Sequence, residues 1–303
     1  MMNTCEKANI LIEALPFMQK FAGSTIVIKY GGNAMKSEEL KRNVLRDIIF
    51  LKYSGIRPVV VHGGGPELTA MLNTLGKKSE FISGLRVTDA ETAGIAEMVF
   101  SGKTNREIVQ LLNSFDAKNR AVGLNGKDAN LLVTSKKLAK IHQGGKTEEV
   151  DVGFVGEIEK INTKLLLSLL ENDYIPVIAP IGIGEDGETY NINADYVAGE
   201  IAVALQAEKL ALLTDVEGIY LDYKNKASFV STMTLAEAQE MIKTGKIEGG
   251  MIPKLEACIT ALVGGVEKTH ILDGREPHSL LLEIFTQKGI GTEVVKYRRY
   301  TDE

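Results

Sequence analysis

The apolar positions of the chain fall into two alternating kinds of run. Short continuous apolar stretches end in glycine, as in "TIVIKYGG" from Thr25 and "RPVVVHGGG" from Arg57. Between them, apolar residues return every three or four positions. Continuous runs of that length predict strands buried on both faces, and the helical return predicts amphipathic helices. Residues 37–54 carry Leu40, Val44, Ile48 and Leu51 on one face, with Gly55 as a stop. Pro66 stands where a helix would begin. Thr88 with Glu91, and Thr234 with Glu237, have the spacing of capping boxes. Asn162 is placed to cap another helix, and residues 194–206 and 278–286 read as two more. "YIPVIAPIG", "KLALLTDV", "THILDG" and "GTEVV" read as further strands. Residues 121–161 break the rhythm: short β-like pieces, separated by "NGKD", "QGGK" and "GFVGE", predict an excursion of antiparallel hairpins. The fold class is α/β, a mostly parallel sheet with helices on both faces. A soft boundary near residues 182–190, "GIGEDGETY", could divide it into two lobes.

The segment before the first strand, "ILIEALPFMQKFAGS", has Ile10, Ala14, Phe17, Met18 and Phe21 in one helical stripe, and Pro16 predicts a kink. Glu13 interrupts its apolar run and Glu6 stands where a leader peptide would be basic, so it does not read as a signal sequence. Composition narrows the classes further. The 303 residues suit one large or two modest domains. A net charge of −5 gives no footprint for nucleic acid. No stretch approaches the roughly 20 apolar residues of a membrane helix. Cys5 and Cys258, far apart, argue against a disulfide scaffold or thiolate metal site and fit a reducing, cytoplasmic setting.

Four glycine patterns compete as phosphate loops. "SGKT" at residues 101–104 has Glu97 where a Walker A loop needs glycine, and it lies inside a helical pattern, so a helix interruption or end is expected. "GIGEDG" at 182–187 is followed by "ETYNI", an extended stretch, where a dinucleotide fingerprint needs a helix. That leaves "YGGN" (Gly31, Gly32) and "HGGGP" (Gly63, Gly64, Gly65), each ending a buried strand, where ligands of open parallel sheets bind. Either is a tight turn or a place for main-chain N–H groups to approach an anion. Lys29 interrupts the first strand just ahead of its glycines. It is either a lysine snorkelling from a strand end or one aimed at the same anion.

Taken in order, "VIKYGGNAM", "VVVHGGGPE", "SGLRVTD", "NINAD", "LLTDVEGIY" and "GGMIPKLEA" resemble the N-acetyl-L-glutamate kinases of the amino acid kinase family, over nearly the whole chain. The resemblance implies a three-layer αβα sandwich and transfer of the ATP γ-phosphoryl group to the γ-carboxylate of N-acetyl-L-glutamate, a step of arginine biosynthesis. It implies a kinked oligomerisation helix at 1–24, an acid-binding lobe at 25–185 and an ATP-binding lobe at 186–303. Lys29 and Lys254 would flank the transferred group with Asp195 holding them. Gly64, Gly65, Arg86 and Asn191 would meet the acid. Gly31, Gly32, Thr214, Asp215, Gly218, Tyr220, Ile247, Gly249 and Met251 would meet ATP. Mg²⁺ would arrive on the nucleotide phosphates, with no protein cage. For Lys254 and Asp195 plainer readings stand alongside: a surface lysine and a helix N-terminal carboxylate.

The long N-terminal segment and "HSLLLEIFTQKGIGTEV" resemble the arginine-inhibited, hexameric members of that family. An arginine site would draw on Phe17, His270, Glu283 and Gly291, with Phe17 standing where a tyrosine is expected. Three other readings compete: a kinase of the same fold acting on carbamate or glutamate, a non-catalytic ligand sensor, and a nicotinamide oxidoreductase resting on "GIGEDG" alone.

Overall fold

The structure, a computed structural model, describes residues 4–35, 37–143, 146–222 and 224–298. In chain order the elements are α1 (Thr4–Phe21), β1 (Thr25–Tyr30), α2 (Glu38–Tyr53), β2 (Arg57–His62), α3 (Gly65–Thr74), β3 (Phe81–Ile82), β4 (Leu85–Arg86), α4 (Ala90–Glu97), α5 (Asn105–Phe115), β5 (Ala121–Leu124), β6 (Leu132–Gln143), β7 (Lys146–Ile161), α6 (Lys164–Glu171), β8 (Ile175–Ile178), β9 (Ile181–Gly184), β10 (Thr189–Asn191), α7 (Ala194–Ala204), β11 (Lys209–Thr214), β12 (Ile219–Tyr220), β13 (Phe229–Val230), β14 (Thr232–Thr234), α8 (Leu235–Lys243), α9 (Met251–Val263), β15 (Lys268–Asp273), α10 (Ser279–Phe285) and β16 (Thr292–Val295).

One eight-stranded sheet, ordered β14-β16-β15-β11-β1-β2-β8-β5, runs through the middle. All its pairings are parallel except β15 with β16. Alternation along the central strands divides the core into two layers. Val27, Val59, Val61, Leu210, Leu212 and Ile271 pack with α6, α7, α8 and α9 on one face. Ile26, Ile28, Tyr30, Val60, Ala211, Leu213 and Leu272 pack with α2, α5 and α10 on the other. This is a three-layer αβα sandwich, with β1 and β11 at its centre.

Several local expectations change. The helix after Thr88 is capped by Asp89, whose carboxylate accepts from Thr92 N, while the Thr88 hydroxyl donates to Arg86 O. Thr88 is therefore held in a bridge to Gly153. Asn162 does not cap α6. Its side chain donates to Ala129 O, and Thr163 takes the cap position. "YIPVIAPIG" divides at Pro180 into β8 of the main sheet and β9 of a separate four-stranded barrel with β10, β7 and β6. Proline lacks the N–H that would continue the first ladder. "GFVGE" lies inside β7 rather than at a turn. "SGKT" closes a seven-residue π-helical stretch, Met98–Thr104, between α4 and α5, and "GIGEDG" forms the turn between β9 and β10. The Thr234–Glu237 capping box is present as expected.

α1 continues as one helix through Pro16. Its C-terminal half, Ala14, Phe17, Met18 and Phe21, packs on the layer that includes α10, while Ile10, Leu11, Ile12 and Leu15 are exposed. Among the described residues no helix is long and apolar enough to cross a membrane.

Candidate active site

Strand parity decides where Lys29 points. Lys29 lies two residues after Val27, so it leaves β1 on the face covered by α7 and α9. α7 begins at Asn193, whose side chain accepts from Asp195 N at 2.8 Å. That cap places the Asp195 carboxylate in the first turn, aimed back at the sheet. Lys254 sits in the first turn of α9, directly over α7. The three meet: Lys29 Nζ is 3.0 Å from Asp195 Oδ1, and Lys254 Nζ donates to Asp195 Oδ2 at 2.9 Å. Asp195 is thus a helix-start carboxylate that also contacts both lysines.

The cluster is almost dry, with Lys29 and Asp195 buried. Burial presses the Lys29 ammonium below the ordinary lysine range; Asp195 pulls it back and Lys254 pushes it further down. For Asp195, burial opposes ionisation, but the two lysines outweigh it and hold the carboxyl below its ordinary range. Two cations on one carboxylate leave one unit of positive charge in a low-dielectric place. That arrangement attracts an anion.

Two loop glycines stand where any side chain would collide with a neighbour. A Cβ on Gly31 would stand 2.9 Å from Lys29 Nζ, and one on Gly64 would stand 2.6 Å from the Phe100 ring. Gly32 takes a φ of 70°, the left-handed region that glycine enters without strain. The two loops touch: Gly63 N donates to Tyr30 O at 2.8 Å. Gly64 is the N-cap of α3 and Gly65 its first residue, so their main-chain N–H groups stand at a helix N-terminus.

Arg86 reaches the same corner from β4. Its guanidinium donates to Gly65 O at 3.2 Å, to Thr69 Oγ1 at 2.8 Å and to Ser79 Oγ, and it stacks on Phe81 at 4.6 Å. Burial lowers its pKa. Asn191, half-buried on β10, lies four residues ahead of Asp195 on the strand leading into α7. On the other side, Thr214 is buried at the carboxyl end of β11 and its O accepts from Gly274 N, with Asp215 following. Gly218 has a φ of 153° and no room for a side chain against Thr292 and Phe229. Tyr220 meets Phe229 edge-on at 5.3 Å. Gly249, at φ 57°, and Met251 lead into α9 three residues before Lys254. Ile247 departs from expectation. Its side chain is buried in the core beneath α8 and α9, so only its main chain can face a ligand. Among the described residues no group of three or more His, Cys, Asp or Glu side chains is arranged to hold a metal.

The residues expected at an effector site also come together, on the opposite face of the sheet. Phe17, His270, Glu283 and Gly291 line one cavity of about 490 Å³. His270 Nδ1 is 2.7 Å from Glu283 Oε1, and Glu283 Oε2 accepts from Ile290 N at 2.9 Å and Gly291 N at 3.4 Å. Burial opposes the Glu283 charge, but His270 and these N–H groups overcome it and bring the carboxyl down to about 2. Sequence reading missed Lys209, which lines the same cavity with its Nζ 3.0 Å from His270 Nε2 and 5.2 Å from the Phe21 ring centroid. Burial brings its pKa down to about 8. Burial and the nearby Lys209 charge both disfavour a charged imidazole, whose Nδ1 lies beside Glu283. The signal was available: Lys209 opens an apolar strand as a charged anomaly, just as Lys29 does.

The chain belongs to the amino acid kinase family, whose sequence profile matches residues 24–273. Within that family its relatives are acetylglutamate kinases, and it is an enzyme of this group. The acetylglutamate kinase of Moorella thermoacetica is 55% identical over 290 residues, 96% of this chain and 97% of the relative. That of Desulfitobacterium hafniense is 57% identical over 288 residues, 95% and 96% of the two chains. Among solved structures, N-acetylglutamate synthase from Neisseria gonorrhoeae complexed with coenzyme A and N-acetyl-glutamate is similar with a TM-score of 0.79 at 27% identity. The match covers 96% of this chain and 64% of the synthase. Carbamate kinase from Giardia lamblia, TM-score 0.64 at 17% identity over 90% of this chain and 99% of that one, shares the fold.

Proposed function

We propose that this enzyme transfers the γ-phosphoryl group of ATP to the γ-carboxylate of N-acetyl-L-glutamate, giving an acyl phosphate in arginine biosynthesis. The observation that carries the reading is Asp195 held between Lys29 and Lys254, with Gly31 packed bare against the Lys29 ammonium and Gly64 at the N-terminus of α3. Phosphoryl transfer asks for positioning and fixed positive charge more than for covalent chemistry. A carboxylate nucleophile is already ionised at neutral pH, so no general base is required.

Lys29 stands nearer the glycine loops and would meet the acid-side oxygens of the transferred group. Lys254 would meet the nucleotide side. Gly32 and Gly64 N–H groups would complete the clamp. Arg86, with Gly65 and Asn191, would take the α-carboxylate and acetamido end, in the lobe of residues 25–185. Thr214, Asp215, Gly218, Tyr220, Gly249 and Met251 would frame the nucleotide in residues 186–303. Mg²⁺ would be held by the ATP phosphates and supply charge neutralisation there. The unpaired thiols Cys5 and Cys258 fit a cytoplasmic enzyme.

A second reading concerns regulation. The cavity of Phe17, Lys209, His270 and Glu283 has a carboxylate for a guanidinium and an ammonium for a carboxylate. This supports feedback inhibition by L-arginine, and one solved relative of the fold is the Neisseria gonorrhoeae synthase complexed with coenzyme A and L-arginine (TM-score 0.74, 26% identity, 96% of this chain and 65% of that one). Exposed Ile10, Leu11, Ile12 and Leu15 on α1 support packing between subunits, as in a hexamer built from three dimers. ADP release should be measured with N-acetyl-L-glutamate, glutamate and carbamate, each with and without arginine. Turnover with the acetylated acid alone, and a sigmoidal arginine titration, are expected. Turnover with another acid instead would overturn the substrate assignment.

A further inference from the structure

The histidine of "VHGGGP" is absorbed by none of the roles above, yet it is fully buried beside the glycine loop. His62 Nδ1 lies 2.7 Å from Gly63 O, and His62 Nε2 lies 3.1 Å from Asn105 Nδ2. The same Asn105 amide nitrogen donates to Val177 O, in β8, at 2.9 Å. A main-chain carbonyl only accepts, so it fixes which end of the Asn105 amide is NH₂. The second amide hydrogen then points at His62 Nε2, which must accept. A neutral imidazole carries one N–H, so the proton lies on Nδ1 and is donated to Gly63 O. Burial keeps the ring in that neutral form, bringing its pKa down to about 4, with the Gly63 hydrogen bond working the other way and the charge of Arg106 adding to the fall.

The peptide plane carries this order to the active site. Gly63 C=O and Gly64 N–H belong to one planar trans peptide, so they point in opposite directions. With the carbonyl turned to the buried His62 ring, the Gly64 N–H is turned away from it, out of the core. Gly63 N, in the preceding peptide, donates to Tyr30 O and fixes the chain entering the loop. Nothing else in the loop sets this orientation by side chain, because residues 63–65 are glycines.

We propose that His62 and Asn105 are positioning residues: Asn105, anchored by donating to Val177 O, also donates to His62 Nε2, and His62 Nδ1–H donates to Gly63 O, a hydrogen-bond relay that aims the Gly64 N–H at the transferred phosphoryl group. This rests on the phosphotransfer reading above. Asn105 is delivered to the relay by its place directly after the π-helical stretch, and its Oδ1 fills the space where Gly123 has no side chain.

The test joins ring spectroscopy to two variants. With four histidines in the chain, ¹⁵N shifts of the imidazoles are assignable. At pH 7 His62 should show a protonated Nδ1 and an unprotonated Nε2. His62→Leu removes the donor to Gly63 O, whereas His62→Asn keeps an N–H near the Nδ1 position. Loss of one aimed donor typically costs about 10²-fold or more in kcat. A mis-aimed one should therefore lower kcat of His62→Leu by roughly ten- to a hundred-fold, with the ATP KM nearly unchanged. His62→Asn should recover most of that loss. Equal kcat for the two folded variants, or a wild-type ring protonated on Nε2, would overturn the relay. If His62→Leu does not fold, the tautomer decides alone. Wild-type enzyme inert toward N-acetyl-L-glutamate would overturn the substrate reading and leave the tautomer result standing.

Discussion

Replacing Asp195 with Asn tests the charge arrangement directly. The carboxylate lies 3.0 Å from Lys29 Nζ and 2.9 Å from Lys254 Nζ. At an effective dielectric constant of about 20, each contact is worth about 5 kcal/mol of Coulomb energy. Water entering the altered site will cancel much of it. Keeping a third still shifts the Lys29 protonation equilibrium about tenfold. The direction is set by burial, which already lowers Lys29. Without Asp195 it falls further, and the free enzyme loses positive charge at lower pH than wild type does. Helix α7 should persist, because its cap uses the Asp195 main-chain N–H, which Asn retains. The assay is kcat/KM for ATP between pH 6 and 9, which reports ionisation of the free enzyme. We expect a loss of about 10²–10³-fold at pH 8 that narrows toward pH 6. A variant whose profile runs parallel to wild type at every pH would refute the reasoning, since the charge would then matter only for folding.

Two further outcomes follow from the same geometry. Lys254→Ala should lower kcat by about 10²-fold or more with acid binding still measurable by calorimetry, and unchanged turnover would remove Lys254 from the mechanism. Glu283→Gln should abolish arginine inhibition, as should deletion of residues 1–23, which should also reduce particle size. The Glu283 charge also has a pH signature. Its folded pKa, near 2, lies below that of an unfolded glutamate, so its stabilisation is present above about pH 4.5 and is lost as pH falls toward 2. Wild type should therefore lose more stability than Glu283→Gln across that window in chemical denaturation, and identical acid limbs would refute the pairing with His270.

Much of the sheet was legible because buried parallel strands are continuous apolar runs, and β1, β2, β11 and β15 are all of this kind. Lys29 was legible for the same reason, as a charge in a place that excludes charge. The antiparallel excursion was harder. β6 and β7 carry alternating, half-exposed patterns that glycine punctuates without ending, so Gly153 and Gly156 fall inside a strand. Caps were misread where two candidates adjoin: Thr88 and Asp89 both suit the position, and the bridge to Gly153 claims the threonine. The inward turn of the Ile247 side chain was not legible because motif order does not reveal which way a side chain points. The relay from Asn105 to His62 spans 43 residues, and neither residue disturbs its own local pattern enough to announce the other.

The π-helical stretch Met98–Thr104 has a cost in evolution and design. One surplus residue in a helix rotates everything after it by about 100°. Here that rotation lets one continuous rod set Phe100 against Gly64 and Asn105 against His62. Deleting a residue from the stretch would give a more regular and better hydrogen-bonded helix, the kind of change a stability screen rewards. It would also swing the amide off the histidine. Selection for thermal robustness and selection for turnover therefore pull on this segment in opposite directions, and consensus-based stabilisation should leave its length alone.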